Sequence, residues 1–183
     1  MRGFLNIRIA LGNQFLRKKK NQVSRNRSIY NFDTAKTAGI LFDGNEEGTF
    51  QHIKEFSKFL KSKGIQTKLL GYVESKELPD EMVLWDNCDI VSLKEIDLLL
   101  KPKSPAAQEF LQTEFNILFD LSLKNYFTLH YISTLSPANF KVGRFTEDEN
   151  DFDFMINVNK RPAVDYLIEH IRNYLSTLNK NIH

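Results

Sequence analysis

The sequence predicts an α/β fold: a three-layer Rossmann-like sandwich around a mainly parallel sheet, preceded by a basic amphipathic N-terminal helix. Three observations carry that expectation. Short apolar runs of strand length alternate with stretches whose apolar residues recur at helical spacing. Two of the runs, Ile40-Leu41-Phe42-Asp43 and Ile117-Leu118-Phe119-Asp120, are apolar at successive positions, as strands buried on both faces of a parallel sheet are. The 183 residues are 42% hydrophobic and 26% charged, with only 8 Gly and 5 Pro, which excludes disordered and fibrous classes.

The elements follow in order. Phe4, Ile7, Leu11 and Phe15 share one side of a helical wheel, with Leu5, Ile9 and Leu16 beside them and Arg8 set within the apolar arc. A polar linker over 17–36 follows, so residues 1–36 read as a basic helix and linker and 37–183 as a single α/β domain. Thr37 to Asp43 is the first strand, bounded by a turn at Gly44-Asn45. From Glu46 to Lys63 the period changes, and Phe50, Ile53, Phe56, Phe59 and Leu60 recur as on a helix, with Gly64 placed as its C-terminal cap. Ile65 to Val73 is the second strand. Strand, helix, strand makes a βαβ unit and therefore a parallel pair.

Leu78-Pro79-Asp80 reads as a turn, with Met82, Val83 and Trp85 covering the core. Asp89 to Ser92 is a short strand, and Leu93 to Leu100 a short helix or irregular segment. Ser104 can cap a helix with Pro105 at its first position, running to about Thr113. Phe115 to Leu121 is a strong buried strand, Phe127 to Leu135 a helix, Phe140 to Gly143 a brief strand, and Phe152 to Val158 a further one. Pro162 opens the last helix, whose apolar stripe is Val164, Leu167, Ile168, Ile171, Leu175 and Leu178.

The formal net charge of +2 conceals a division. Arg2, Arg8, Arg17, Lys18, Lys19, Lys20, Arg25 and Arg27 precede the first acid, Asp33. The remaining 17 basic residues face all 23 acids, so a cationic arm precedes an acidic body. Such asymmetry points to a polyanionic partner. RNA or a ribonucleoprotein held by residues 1–30 is the leading expectation, with Arg8, Arg17, Lys18, Lys19, Lys20, Arg25 and Arg27 as contacts to phosphate. An anionic membrane surface is the other functional one, and the plain reading is a helix that packs on the body and frays into a basic linker. The single Cys88 excludes a disulfide framework and a cysteine zinc cage. The N-terminal apolar stretch is interrupted by Asn6 and Arg8 and followed by a basic run, which argues against a signal peptide and for a cytoplasmic protein.

Chemistry has few candidates. Both clearest strands end in aspartate, Asp43 and Asp120, and in open parallel sheets ligands bind beyond the carboxyl ends of the strands. Asn45, Ser122, Lys124, Asn125 and Arg144 would line the same edge. A Mg²⁺-dependent phosphodiesterase or nuclease using Asp43 and Asp120 is the enzymatic alternative. Otherwise these aspartates cap helices or close turns. No glycine-rich phosphate cradle, HExxH or GxSxG pattern is present, so no cofactor and no resident metal are expected. His52, His130, His170 and His183 read as surface or core residues. Ser122, His130 and Asp120 can be drawn as a triad without the elbow that exposes a nucleophile.

Two resemblances arise. Residues 115–145, with Asp120-Leu121 and Val142-Gly143-Arg144-Phe145, are similar to part of the amino-terminal domain of heptosyltransferase-type glycosyltransferases, which implies a related α/β half-fold. Across nearly the whole chain, the pattern from NFDTAKTAGILFDG through LLGYV and KELPDEM to ILFDLSL and FKVGRF looks like a bacterial family of short α/β proteins described only as a domain of unknown function. That likeness implies a cytoplasmic protein with a basic arm and no assigned activity. A non-catalytic binding module is the resulting expectation. Its ligand and oligomeric state are left open.

Overall fold

The computed structural model describes residues 2–78, 85, 88–147 and 149–178. In chain order these form α1 (Arg2–Lys20), β1 (Thr37–Asp43), α2 (Thr49–Ser62), β2 (Gln66–Tyr72), β3 (Cys88–Val91), α3 (Pro105–Gln112), β4 (Ile117–Asp120), α4 (Phe127–Leu135), β5 (Phe140–Arg144), β6 (Phe154–Ile156) and α5 (Val164–Thr177). The strands make one six-stranded sheet in the order β3-β2-β1-β4-β5-β6, with every neighbouring pair parallel. This is the Rossmann-like sandwich that the alternation of periods predicts. The expected turn at Pro79-Asp80, and Met82 and Val83, lie outside the described residues.

Alternation within the apolar runs builds the two outer layers. Ile40, Phe42, Ile117 and Phe119 face one way, packing on Ile53, Phe56 and Leu60 of α2 and Leu167 and Ile171 of α5. Leu41, Leu70, Val91 and Leu118 face the other, against Phe110 of α3, Leu129 and Ile132 of α4, and Leu16 of α1. Each side chain so buried is worth roughly 1.5–3 kcal/mol of transfer free energy.

Several boundaries differ from expectation. α2 begins at Thr49 because Gly48 adopts φ 79°, a left-handed conformation that ends the preceding turn. Glu46 and Glu47 therefore fall outside its first turn. α5 begins at Val164 with Ala163 at its N-cap, two residues later than a start at Pro162. Between β3 and α3 only a 3₁₀ turn forms, Leu93–Glu95, where the Glu95 carboxylate accepts from the Ser92 amide and hydroxyl at 3.0 and 3.1 Å.

The amino-terminal helix packs on the body, as one reading of its sequence has it, but it does not fray into a linker. α1 continues through Lys20, so the basic run is its last turn, where cations meet the free carbonyls of the helix end. It docks on the body through Leu16, which is buried, and through Gly12. A Cβ at Gly12 would stand 2.6 Å from the Phe127 ring and 2.9 Å from the Leu99 carbonyl oxygen, so only glycine allows this approach. Residues 21–36 then cross from the α1 layer to the α2–α5 layer. On the way the Ser28 amide donates to the Asn139 carbonyl, and Phe32 and Ala35 enter the opposite core. The Asn31 side-chain amide reaches the Leu178 carbonyl at 2.8 Å. The segment is a strap across the sheet.

Candidate functional site

The strand order places the reversal of winding between β1 and β4, where a doubly wound sheet opens a crevice at its carboxyl edge. Leu41 is in register with Asp120, so Asp43 lies two residues further along the adjacent strand. Equal parity along parallel strands puts both aspartates on the α4 side of the sheet. Asp43 Oδ1 accepts from the amide and side chain of Asn45 at 2.9 and 2.6 Å. Its Oδ2 is buried with no hydrogen-bond partner among the described residues. Asn45 continues the turn, its Oδ1 accepting from the Glu74 amide at 2.6 Å.

Asp120 Oδ1 accepts from the Ser122 amide at 3.1 Å and its hydroxyl at 2.5 Å. Burial pushes the Asp120 carboxyl above its ordinary range, against those two hydrogen bonds and the nearby His130 and Arg144. The Ser122 hydroxyl is thus directed at a carboxylate, not at an imidazole base, which is not the arrangement that activates a serine. No group of three or more His, Cys, Asp or Glu among the described residues could hold a metal ion.

Beside Asp120 opens a cavity of about 450 Å³, floored by the β4–α4 turn and the start of α4. Ser122, Lys124, Asn125 and Arg144 line it, whereas Asp43 and Asn45 do not. The Arg144 guanidinium donates to the Asn125 side-chain oxygen and to the Phe145 carbonyl. Lys124 pairs with Glu46 at 2.9 Å, which raises its pKa. Tyr126, Phe127 and Phe152 form apolar wall. His130, on α4, also lines the cavity; burial pulls its imidazole below the ordinary value, against the field of Asp120.

The roof is α1, which contributes Ile9, Asn13, Leu16, Arg17 and Lys20. It is tied down at both ends. The Arg8 guanidinium donates to the Leu98 and Asp97 carbonyls at 2.8 and 2.9 Å. Lys20 bridges Glu149 at 3.2 Å and Asp151 at 3.1 Å. Burial lowers its pKa, and those two carboxylates outweigh the burial, so the net direction is up. Arg25 in the strap is more enclosed than Arg17, Lys20 or Arg27, donating to the Ala138 carbonyl at 2.8 Å and to Asp153 at 2.5 Å. Arg17 lies 3.8 Å from Glu149 and Arg27 lies 3.7 Å from Asp153, both largely in solvent. Lys18 and Lys19 are exposed.

The arm's outer side carries an apolar stripe. Phe4, Ile7 and Leu11 are 64, 60 and 50% exposed, on the side of α1 away from Leu16, and Leu98 beneath its amino end is also open. No helix among the described residues is long and apolar enough to cross a membrane.

A family model described as a family of unknown function, DUF6913, matches residues 8–178. The chain belongs to that family. The DUF6913 match takes in α1 from Arg8 onward as well as the strap, the sheet and the cavity. No curated protein matches the chain.

Sequence reasoning missed Glu149, Asp151 and Asp153, which hold the arm, and Lys141. The signal for the three acids was the acidic run Glu147 to Asp153, a stretch of the body dense enough in acid to attract the arm.

Proposed function

We propose that this protein is a binding module that holds an anionic membrane surface through the outer side of α1. The observation that carries this reading is the exposed stripe Phe4, Ile7 and Leu11 on a helix that contains no acid. An RNA-binding arm needs cations alone. It leaves three open apolar side chains at helical spacing without a purpose. An interfacial helix needs both, since apolar burial adds to electrostatic attraction. Arg8, Arg17, Lys20 and Arg25 are engaged with the body, and this leaves Lys18 and Lys19 beside the stripe for lipid headgroups. The stripe faces away from the docked side, so contact requires no undocking.

Vesicle flotation tests the reading. The protein is expected to float with vesicles containing phosphatidylglycerol and not with pure phosphatidylcholine, and to be released by salt. Ile7→Asp and Leu11→Asp, both at exposed positions, should abolish flotation. Lys18→Glu with Lys19→Glu should weaken it. Salt-sensitive RNA binding that survives Ile7→Asp and Leu11→Asp, with no flotation, would establish the RNA reading in its place.

A further inference from the structure

The cavity beneath α1 is independent of the membrane reading, because the stripe lies on the other side of the helix. Its charges are unevenly satisfied. Glu149 and Asp151 are met by Arg17 and Lys20. Arg144, half-buried at the carboxyl end of β5, donates to the Asn125 side chain and the Phe145 carbonyl and forms no ion pair among the described residues, although Asp120 lies close enough to feel its charge. A guanidinium held in place by a neutral amide at the mouth of a cavity is a fork waiting for an anion. Lys124 stands on the same wall as a second cation, and its surface pair with Glu46 at 2.9 Å would be exchanged for the ligand. The volume of about 450 Å³ falls within the range of small-molecule sites and is far larger than a bare ion requires. Tyr126, Phe127 and Phe152 supply flat apolar wall, while Asp120 and His130 offer hydrogen bonds deeper in.

We propose that this cavity binds a phosphate monoester with a ring-bearing body, its phosphate on Arg144 and Lys124 and its ring against Tyr126, Phe127 and Phe152. Two cations suit a dianion better than a carboxylate, and the aromatic wall distinguishes an organic ester from free phosphate. Titration of the full chain, followed by amide NMR at constant ionic strength, tests this with phenyl phosphate, inorganic phosphate and benzoate as probes. Phenyl phosphate should bind saturably and shift amides of residues 120–130 and 144–146. Inorganic phosphate and benzoate should each bind at least about tenfold more weakly. Arg144→Ala should weaken phenyl phosphate about tenfold with the rest of the spectrum unchanged, and Lys124→Ala, at an exposed position, should weaken it too. Lys63→Ala, far from the cavity, should change nothing. No saturable binding of phenyl phosphate, or binding unaltered in both cavity variants, would overturn the site. Benzoate binding as tightly would overturn the phosphate class, and inorganic phosphate binding as tightly would overturn the ring-bearing body.

Discussion

Lys141 lies within β5 with none of its surface open to water. Its Nζ donates to the Ser133 and Thr134 carbonyls at 2.6 and 3.0 Å, closing the end of α4. Burial pulls its pKa down to about 7. In the unfolded chain the amine keeps the ordinary value of 10.5. Between those two values the unfolded state binds the extra proton, so stability rises as pH climbs from about 7 toward 10.5. Lys141→Met should flatten that rise in urea denaturation series. It should also cost about 1–3 kcal/mol at neutral pH, because two carbonyls lose their donor. Asp120 has the opposite sign. Its folded pKa is raised, so the folded state binds the extra proton and stability falls as pH climbs from 3.8 through the folded value. Asp120→Asn should remove that fall and leave the fold intact. Cys88, whose thiol burial pushes up to about 12, should react with iodoacetamide only on unfolding. Lys141 was invisible in the sequence because one lysine in a short strand reads as a solvent-facing position. Nothing local announces that the end of α4 lies over it.

At the scale of elements, α1 is held by shape as much as by charge. Gly12→Leu would force a side chain against a backbone carbonyl that cannot give way, an overpacking cost of about 1–3 kcal/mol. α1 should then lift, and trypsin should cut after Lys18 and Lys19 faster than in the parent. Arg25→Ala should destabilise by about 3 kcal/mol in chemical denaturation, since it leaves Asp153 half of a broken enclosed pair. The strands were legible because each apolar run is bounded by glycine, proline or aspartate. Asp43 and Asp120 were legible as an edge because both end such runs. Packing of α1 on the body was one open reading, but its acid partners were not legible, because they lie roughly 130 positions away and charge patterns carry no distance. The start of α2 was misplaced because a left-handed Gly48 looks the same in sequence as a helical one.

For the whole molecule, the strap joins the two outer layers. Trp85, the chain's single tryptophan, packs edge-on against Phe50 at 4.7 Å and reports on the α2 side. Far-ultraviolet circular dichroism reports on both sides. The two transitions should coincide in the parent chain and separate when Arg25→Ala and Asn31→Ala loosen the strap together. The strap also sets a schedule for synthesis. Its partners Asn139, Asp153 and Leu178 come far later in the chain than Arg25, Ser28 and Asn31 themselves. A nascent chain emerging from a ribosome at roughly 5–20 residues per second therefore exposes α1 and the strap for many seconds before anything exists to receive them. β1, α2 and β2 can pair meanwhile, since their contacts are local in sequence. α1 and the strap are made before the partners that receive them, and their positive charge helps to keep them solvated through that wait.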